Sequence, residues 1–368
     1  MELIDAGVLL PADAGGTRAT LTFPTLTALR DGTMLVTVRA GSGKDSADER
    51  VELWRSSDFG RTWSGPAPFP EPPPIAGATG SLKLCYLTEI PPGALLAAAM
   101  WVDRSTYPGA PLFNPTTEGC LPMAILLAAS ADGGVRWSPW RHVPLPENLG
   151  PPSLTSPLLP LADGALALSI ETNKAYHDAS PWLQQAVLLH SCDGGLSWIG
   201  PTDAARDPSG RIFNWDLRFG VAPDGRIGSF AWTYDSVERV YRQIHRRISA
   251  DGGRSWSAAE ALGFADQAGR PAVLHDGRIV LPWVDRFGSR SIKARLATSI
   301  AGPFGGESMI YTLDATGSAR ATTTGDLLAE MAVWTFGLPY AEVVGDEVWI
   351  LYYAGTEVLD VRYARLRV

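Results

Sequence analysis

The sequence predicts an all-β protein: a six-bladed β-propeller of four-stranded antiparallel blades, its ring closed by an N-terminal strand that joins the last blade. Three observations point there. An octapeptide of the form S-x-D-x-G-x-x-W occurs four times, at residues 56–63 (SSDFGRTW), 130–137 (SADGGVRW), 191–198 (SCDGGLSW) and 249–256 (SADGGRSW). Six segments join one apolar run to another through a tight turn, usually Asp-Gly, the strongest short-range hairpin signal. Six such units in 368 residues leave about 61 residues each, enough for a four-stranded blade.

The hairpins in chain order are 24–39 (turn Asp31-Gly32), 84–101 (Pro92-Gly93), 156–171 (Asp163-Gly164), 217–232 (Asp224-Gly225), 270–285 (Asp276-Gly277) and 340–353 (Gly345-Asp346). After each of the first four comes an octapeptide. Its Asp (Asp58, Asp132, Asp193, Asp251) can accept hydrogen bonds from the N–H groups of its own turn. Its Gly supplies a positive φ, and its Trp buries a large ring that anchors the turn. The fifth unit keeps a degenerate copy at 298–304 (TSIAGPF), with Ile300 at the Asp place. After the sixth hairpin, 358–368 alternates like a strand, and then the blade lacks its outermost strand. Residues 1–10 (MELIDAGVLL) are apolar enough to supply it, so residues 1–368 read as one domain.

Net charge is −8, which argues against a nucleic-acid partner. No apolar run is long enough to span a bilayer as a helix, and residues 1–16 lack a basic segment of the secretory type, so the chain reads as cytoplasmic and not membrane-bound. The three cysteines (Cys85, Cys120, Cys192) show no metal-type spacing and read as buried free thiols. Neither a metal site nor a cofactor is expected. The Pro-rich stretch 66–74 reads as a stiff connection between blades.

Propeller geometry sorts the chemistry. If the Asp-Gly turns lie on one face, the starts of first strands and the ends of second strands lie on the other, around the axis. First-strand starts contribute Thr22, Phe23, Ser81, Lys83, Thr155, Asp216, Arg218, Arg270, Tyr340 and Glu342. Second-strand ends contribute Arg39 with Asp45 and Asp48, then Asp103 and Arg104, Glu171, Trp232 and Asp235, and Asp285 and Arg286. Carboxylates interleaved with aromatics suit a sugar, which has an apolar face and a rim of hydroxyls, and a carbohydrate is the expected partner. Two long segments, 103–120 and 172–181, carry Tyr107 and His177 and read as walls or lids of this face.

The octapeptide matches the Asp box of the sialidase superfamily, and the whole chain resembles its six-bladed propeller. In that family the box joins the two outer strands of a blade, away from the active site. The resemblance implies three arginines that clamp a sugar carboxylate, an Asp acid/base, and a Tyr nucleophile activated by a Glu, an exception to the usual carboxylate pair. Carried over residue by residue, Arg39 fits the arginine that ends the second strand of blade one, and Asp45 or Asp48 fits the acid/base. Asp216 stands where the family has its Glu, and Tyr340, with Glu342 two residues on, fits the Tyr. Thr22-Phe23-Pro24 replaces the family's Arg-Ile-Pro, and Trp232 replaces a second arginine. Arg286 or Arg290 is the candidate for the third, and Arg218 and Arg270 can rebuild the clamp from neighbouring strands.

Three functions stay open on this reading. One is a glycoside hydrolase that releases a terminal sugar, acidic or neutral. A second is a propeller lyase on uronic acid glycans, with His177, Tyr107 or Tyr340 as base. A third is a non-catalytic glycan-binding propeller.

Overall fold

The computed structural model describes residues 1–67, 69–90, 93–313 and 334–368. Among them the structure is strands and turns, with one short 3₁₀ turn, Glu147–Leu149, and no α-helix. Six blades of antiparallel strands follow one another in chain order, the sixth and the first joined into one eight-stranded sheet through a parallel pair, Thr20 with Leu359. Blade 1 runs through Thr20–Ala28, Met34–Gly41, Arg50–Ser56 and Ser64–Ala67, and blade 2 through Gly80–Glu89, Leu95–Asp103, Met123–Ser130 and Arg141–His142. In blade 3 a split first strand (Pro152–Ser153, Leu159–Pro160) precedes Leu166–Thr172, Gln185–Ser191 and Ile199–Arg206. Blade 4 is built from Ile212–Val221, Ile227–Asp235, His245–Ser249 and Glu260–Ala261. Blade 5 has another split first strand (Gln267–Ala268, Ala272–Val273), then Ile279–Asp285, Ser291–Ala297 and Phe304–Thr312. Blade 6 takes Phe336–Val344, Glu347–Gly355 and Leu359–Arg367 from the C-terminus, and its fourth strand is Glu2–Leu10, antiparallel to Leu359–Arg367. The N-terminal strand closes the ring as expected.

Second strands are sandwiched between neighbouring blades, which explains their unbroken apolar runs. Every residue of Met34–Gly41, Leu166–Thr172 and Ile227–Asp235 is buried, whereas the outermost strand Glu2–Leu10 is mostly exposed. Each side chain such as Leu35 or Val36 contributes roughly 1.5–3 kcal/mol by leaving water. Hydrogen bonds then join each blade to the next. Thr37 Oγ1 donates to the Cys85 carbonyl (2.5 Å), Thr88 Oγ1 to Leu158 (3.2 Å), Ser156 Oγ to Leu217 (3.0 Å) and Arg246 Nη1 to Gly302 (2.6 Å). Backbone bonds join blade 5 to blade 6 (Arg270 N–H to Pro339, 3.0 Å) and blade 6 to blade 1 (Leu359 N–H to Ala19, 3.0 Å).

The octapeptides close the turns between third and fourth strands. In the third copy Ser191 Oγ donates to Asp193 Oδ1 (2.8 Å) and accepts from the Gly195 N–H (2.8 Å), while Asp193 Oδ1 accepts the Leu196 and Ser197 N–H groups (both 2.9 Å). Three accepted bonds hold the Asp58 carboxyl, and four the Asp251 carboxyl, at a pKa of about 2. In the degenerate fifth copy Ile300 is fully buried, and the turn keeps a Gly302 N–H bond to Ser299 (3.0 Å). Asp251→Ala is expected to lower the melting temperature by about 2–4 °C, as loss of one or two such bonds implies, with turnover unchanged. Calorimetry beside a kinetic assay checks this. Two sequence expectations touch residues outside the description: Pro92 of the second hairpin turn, and Pro68 in the Pro-rich connection. Of the cysteines, Cys85 and Cys120 are buried but Cys192 is exposed, because it occupies a solvent-facing place in its octapeptide.

Candidate active site

A cavity of about 690 Å³ opens on the face opposite the octapeptide turns. First strands reach it through a repeated irregularity. The pairing register of the first strand slips between Thr22 and Thr25, Leu82 and Leu84, Trp215 and Arg218, and Gly337 and Tyr340. A bulge inserts a residue and re-aims a side chain, a device common beside active sites. Here the inserted residues are Phe23, Lys83, Asp216 and Leu338, and all four line the cavity. Phe23 (φ 51°), Asp216 (φ 46°) and Leu338 (φ 51°) hold left-handed backbone conformations that side-chain-bearing residues rarely adopt.

One side of the cavity is an ion network centred on Glu49. Its buried carboxylate takes Arg39 Nη1 (3.2 Å), Lys83 Nζ (3.4 Å), Ser81 Oγ (2.9 Å) and Arg104 Nη2. Asp45 shares two of these cations, Lys83 (2.6 Å) and Arg104 (2.8 Å), and accepts the Leu112 N–H (3.0 Å). Burial alone raises both carboxyls, but the cations more than offset it and hold Asp45 and Glu49 below the ordinary range. Leu112 belongs to the 103–120 segment, which is stapled to 172–181. Tyr107 stacks on Tyr176 (5.0 Å), His177 packs edge-on against both rings, and Asn114 Nδ2 donates to the Tyr176 carbonyl (2.9 Å).

Blades 4, 5 and 6 supply the opposite side. Arg286 is 3% exposed, its guanidinium 3.8 Å from the Trp334 ring, with Nη1 donating to the Phe336 carbonyl (3.0 Å) and Nη2 to Gln267 Oε1. Gln267 Nε2 in turn donates to Asp216 Oδ2. The Tyr353 phenol feels the charges of both Arg286 and Arg39, and its hydroxyl accepts from Lys44 Nζ (3.1 Å). Gly337, at φ 154°, makes room for this pair: a Cβ there would lie 2.9 Å from Arg286 Nη2 and 3.2 Å from the Tyr353 hydroxyl. Burial raises the Tyr353 phenol above its ordinary range, against the pull of Arg286 and Arg39.

The third part is acidic. Arg218 Nη1 donates to Tyr86 Oη (3.0 Å) and the Thr155 carbonyl, and Nη2 reaches Asp216 (3.3 Å). Glu171 lies beside them, 7% exposed. Burial and the neighbouring Asp216 charge push its carboxyl up to about 8, only partly countered by the Leu217 N–H and Arg218. The Nε–H groups of Arg39, Arg218 and Arg286 are buried without partners among the described residues.

Of the residues named from sequence, Asp45, Asp216, Glu171, Arg39, Arg218 and Arg286 line the cavity. Arg104 stands behind Asp45 and Glu49. Thr22, Phe23, Lys83 and Thr155 line it too, whereas Asp48, Asp103, Asp285, Asp235, Trp232, Tyr340 and Glu342 lie elsewhere, each for a physical reason. Asp48 is exposed and holds the Ser42 turn (3.1 Å to its N–H). Asp103 caps its own turn through the Ser105 and Thr106 N–H groups (2.8 and 2.9 Å), and Asp285 does so through Gly288 (2.9 Å) with Lys293 (3.0 Å). Asp235 is bound by Arg211 and Arg242 (both 2.8 Å). Trp232 is fully buried behind Arg286, stacked on Tyr241 at 4.6 Å. Tyr340 is 3% exposed and sealed below the cavity floor, with Arg270 over its ring (4.8 Å). Glu342 is occupied by Arg270 (2.6 Å) rather than by Tyr340.

Sequence reasoning missed Tyr353, Lys44, Glu49 and Gln267. A signal existed for two of them. The run ILYYAG ends a second strand with consecutive tyrosines, one of which must face the axis by alternation. Lys44 directly precedes Asp45 in the glycine-containing loop GSGKD.

No family model matches the sequence. A sialidase from Micromonospora viridifaciens is 26% identical over 250 residues, 60% of this chain, and the match covers 35% of that longer relative. A protein of unknown function from Dyadobacter fermentans superposes over 100% of this chain and 99% of its own with a TM-score of 0.73, at 19% identity. The intramolecular trans-sialidase from Ruminococcus gnavus, solved with oseltamivir carboxylate, superposes over 98% and 97% with a TM-score of 0.63, at 14% identity. In its repeated Asp boxes and in this partial sequence match the chain resembles the sialidase superfamily, and the solved structures share its fold.

Proposed function

We propose that the protein is a glycoside hydrolase that releases a terminal acidic sugar, with the sugar carboxylate held between Arg39 and Arg286. The observation that carries this reading is the charge of the cavity. The chain has a net charge of −8, yet among the described residues the cavity is lined by five cationic side chains (Arg39, Lys83, Arg218, Arg239, Arg286), and by Lys44, whose pKa burial and the Arg286 charge push well down, against four carboxyls (Asp45, Glu118, Glu171, Asp216). A locally positive, partly desolvated cleft on an acidic protein favours an anionic ligand. Arg39 supports the assignment further: only its Nη1 donates a hydrogen bond, to Glu49. Its Nη2 makes no hydrogen bond and is not among the sealed atoms, so it can reach a carboxylate in the cavity, whereas its Nε is buried. Trp182, Trp215 and Tyr86 supply aromatic surface for a sugar ring.

In this reading Tyr353 is the nucleophile, with Asp216 as the nearby carboxylate that feels its charge. A neutral phenol suits an anionic sugar, since a carboxylate nucleophile would be repelled. The test is turnover of 4-methylumbelliferyl glycosides of sialic and uronic acids beside neutral sugars. Release from an acidic glycoside, reduced about 100-fold or more in Arg39→Met, is the expected result. Turnover of neutral sugars alone sinks the reading. An unsaturated product absorbing in the ultraviolet replaces hydrolysis with lyase chemistry, and binding without turnover leaves a glycan-binding module.

A further inference from the structure

We propose that Glu171, and not Asp45, is the proton donor of the cavity, delivering the proton on Oε2 to the glycosidic oxygen of the departing group. The inference rests on the hydrolase reading above and adds to it a residue for which the family resemblance gives no role.

Geometry distinguishes the two acids. Both oxygens of Asp45 are committed: Oδ1 to Lys83 and Arg104, Oδ2 to the Leu112 N–H. A proton on Asp45 would break two ion pairs, and the residue has no hydrogen to give while they stand. Glu171 is arranged the other way. Both bonds it accepts fall on Oε1, from the Leu217 N–H (2.7 Å) and from Thr155 Oγ1 (3.2 Å). Oε2 makes no hydrogen bond, yet it is not among the sealed, unpartnered atoms, so it keeps accessible surface in a side chain that lines the cavity. This is the posture of a carboxylic acid with its O–H aimed at a ligand. The charged groups that face it are Asp216 and Arg218 of blade 4, with the Tyr86 hydroxyl of blade 2 beside Arg218. The Asp216 charge and burial keep the proton on Glu171 at neutral pH, and Arg218 steadies the carboxylate once the proton has left.

The step balances. The bond from the anomeric carbon to the leaving oxygen breaks as Tyr353 Oη bonds to that carbon; the electron pair stays on the leaving oxygen, the Glu171 proton joins it, and the phenolic proton passes to Asp216. Water then attacks the anomeric carbon, the Tyr353–carbon bond breaks with its pair returning to Oη, which takes back its proton from Asp216, and the proton of the water returns to the Glu171 carboxylate. A group that must be protonated to act loses activity as pH rises through its pKa. The wild-type kcat/KM is therefore expected to fall on the alkaline side near pH 8.

The experiment compares Glu171→Gln and Asp45→Asn on two acidic glycosides, one with an alcohol or sugar leaving group that needs protonation and one with a nitrophenol that does not. For Glu171→Gln the inference expects kcat down about 10²–10⁴-fold on the first substrate, within about tenfold on the second, and no alkaline limb. Equal losses on both substrates, or the leaving-group pattern in Asp45→Asn instead, overturn it. Infrared difference spectra of wild type against Glu171→Gln supply a readout free of turnover. A protonated-carboxyl stretch at pH 7 that disappears in the variant supports the inference, and its absence in wild type overturns it. Wild type inert toward every glycoside sinks the hydrolase reading itself, an outcome distinct from turnover that ignores Glu171.

Discussion

Tyr353→Phe is expected to lower kcat on an acidic aryl glycoside about 10³-fold or more, whereas Tyr340→Phe is expected to stay within about threefold of wild type. The contrast follows from one bulge. Leu338 is inserted into the first strand of blade 6 and takes the place at the cavity wall, so Tyr340 falls below the floor, stacked near Tyr86 (6.2 Å) and capped by Arg270. Burial lifts the Tyr340 phenol well above its ordinary range. Tyr353 sits across the sheet from Gly337 and lines the cavity, its hydroxyl bonded by Lys44, with the charges of Arg286 and Arg39 countering part of the rise that burial imposes on the phenol. Steady-state kinetics on both variants decides between the two tyrosines, and circular dichroism confirms that each folds.

Glu49→Gln is expected to cost about 3–5 kcal/mol of stability, the largest loss of any single substitution in the cavity network. The side chain is fully buried and answers three cations from two blades: Arg39 at 3.2 Å, Lys83 at 3.4 Å and Arg104. Neutralising it leaves Arg39 and Lys83, both buried, with Asp45 as their remaining acid, and Asp45 is 27% exposed. The sign of the pH dependence follows from the same contacts. The Glu49 and Asp45 pKa values are lowered in the folded state, so their stabilisation is present above the ordinary carboxylate range and is lost as pH falls through the folded values. Urea titrations at pH 7 and pH 4 are expected to show a wide gap between wild type and Glu49→Gln at pH 7 that narrows in acid.

Much of the architecture was legible because it is written locally. An Asp box needs only a Ser, an Asp, a Gly and a Trp at fixed offsets, and the bonds it makes span four residues or fewer. Ring closure was legible for a different reason: a blade short of one strand and an apolar N-terminal segment imply each other. The site was legible to the extent that topology alone decides it. Arg39, Glu171 and Arg286 end or directly follow second strands, and Asp216 and Arg218 sit near the start of a first strand, so counting along hairpins leads to the cavity. What counting cannot supply is register. A bulge shifts every later side chain of its strand, which puts Tyr340 below the cavity floor instead of in its wall. Nor can it supply long-range pairing. Glu49 reads as one more loop acid until Arg39, Lys83 and Arg104 are seen to converge on it, and Asp48 next to it faces solvent.

Equilibrium binding of an acidic monosaccharide against its neutral carboxamide tests the central claim most directly, since the two differ only in the charge that the cavity is proposed to recognise. Calorimetry at low salt should give single-site binding of the acid, at least about tenfold weaker binding of the amide, and loss of that preference in Arg39→Met. Equal affinity for acid and amide, or a preference that survives Arg39→Met together with Arg286→Met, would contradict the account.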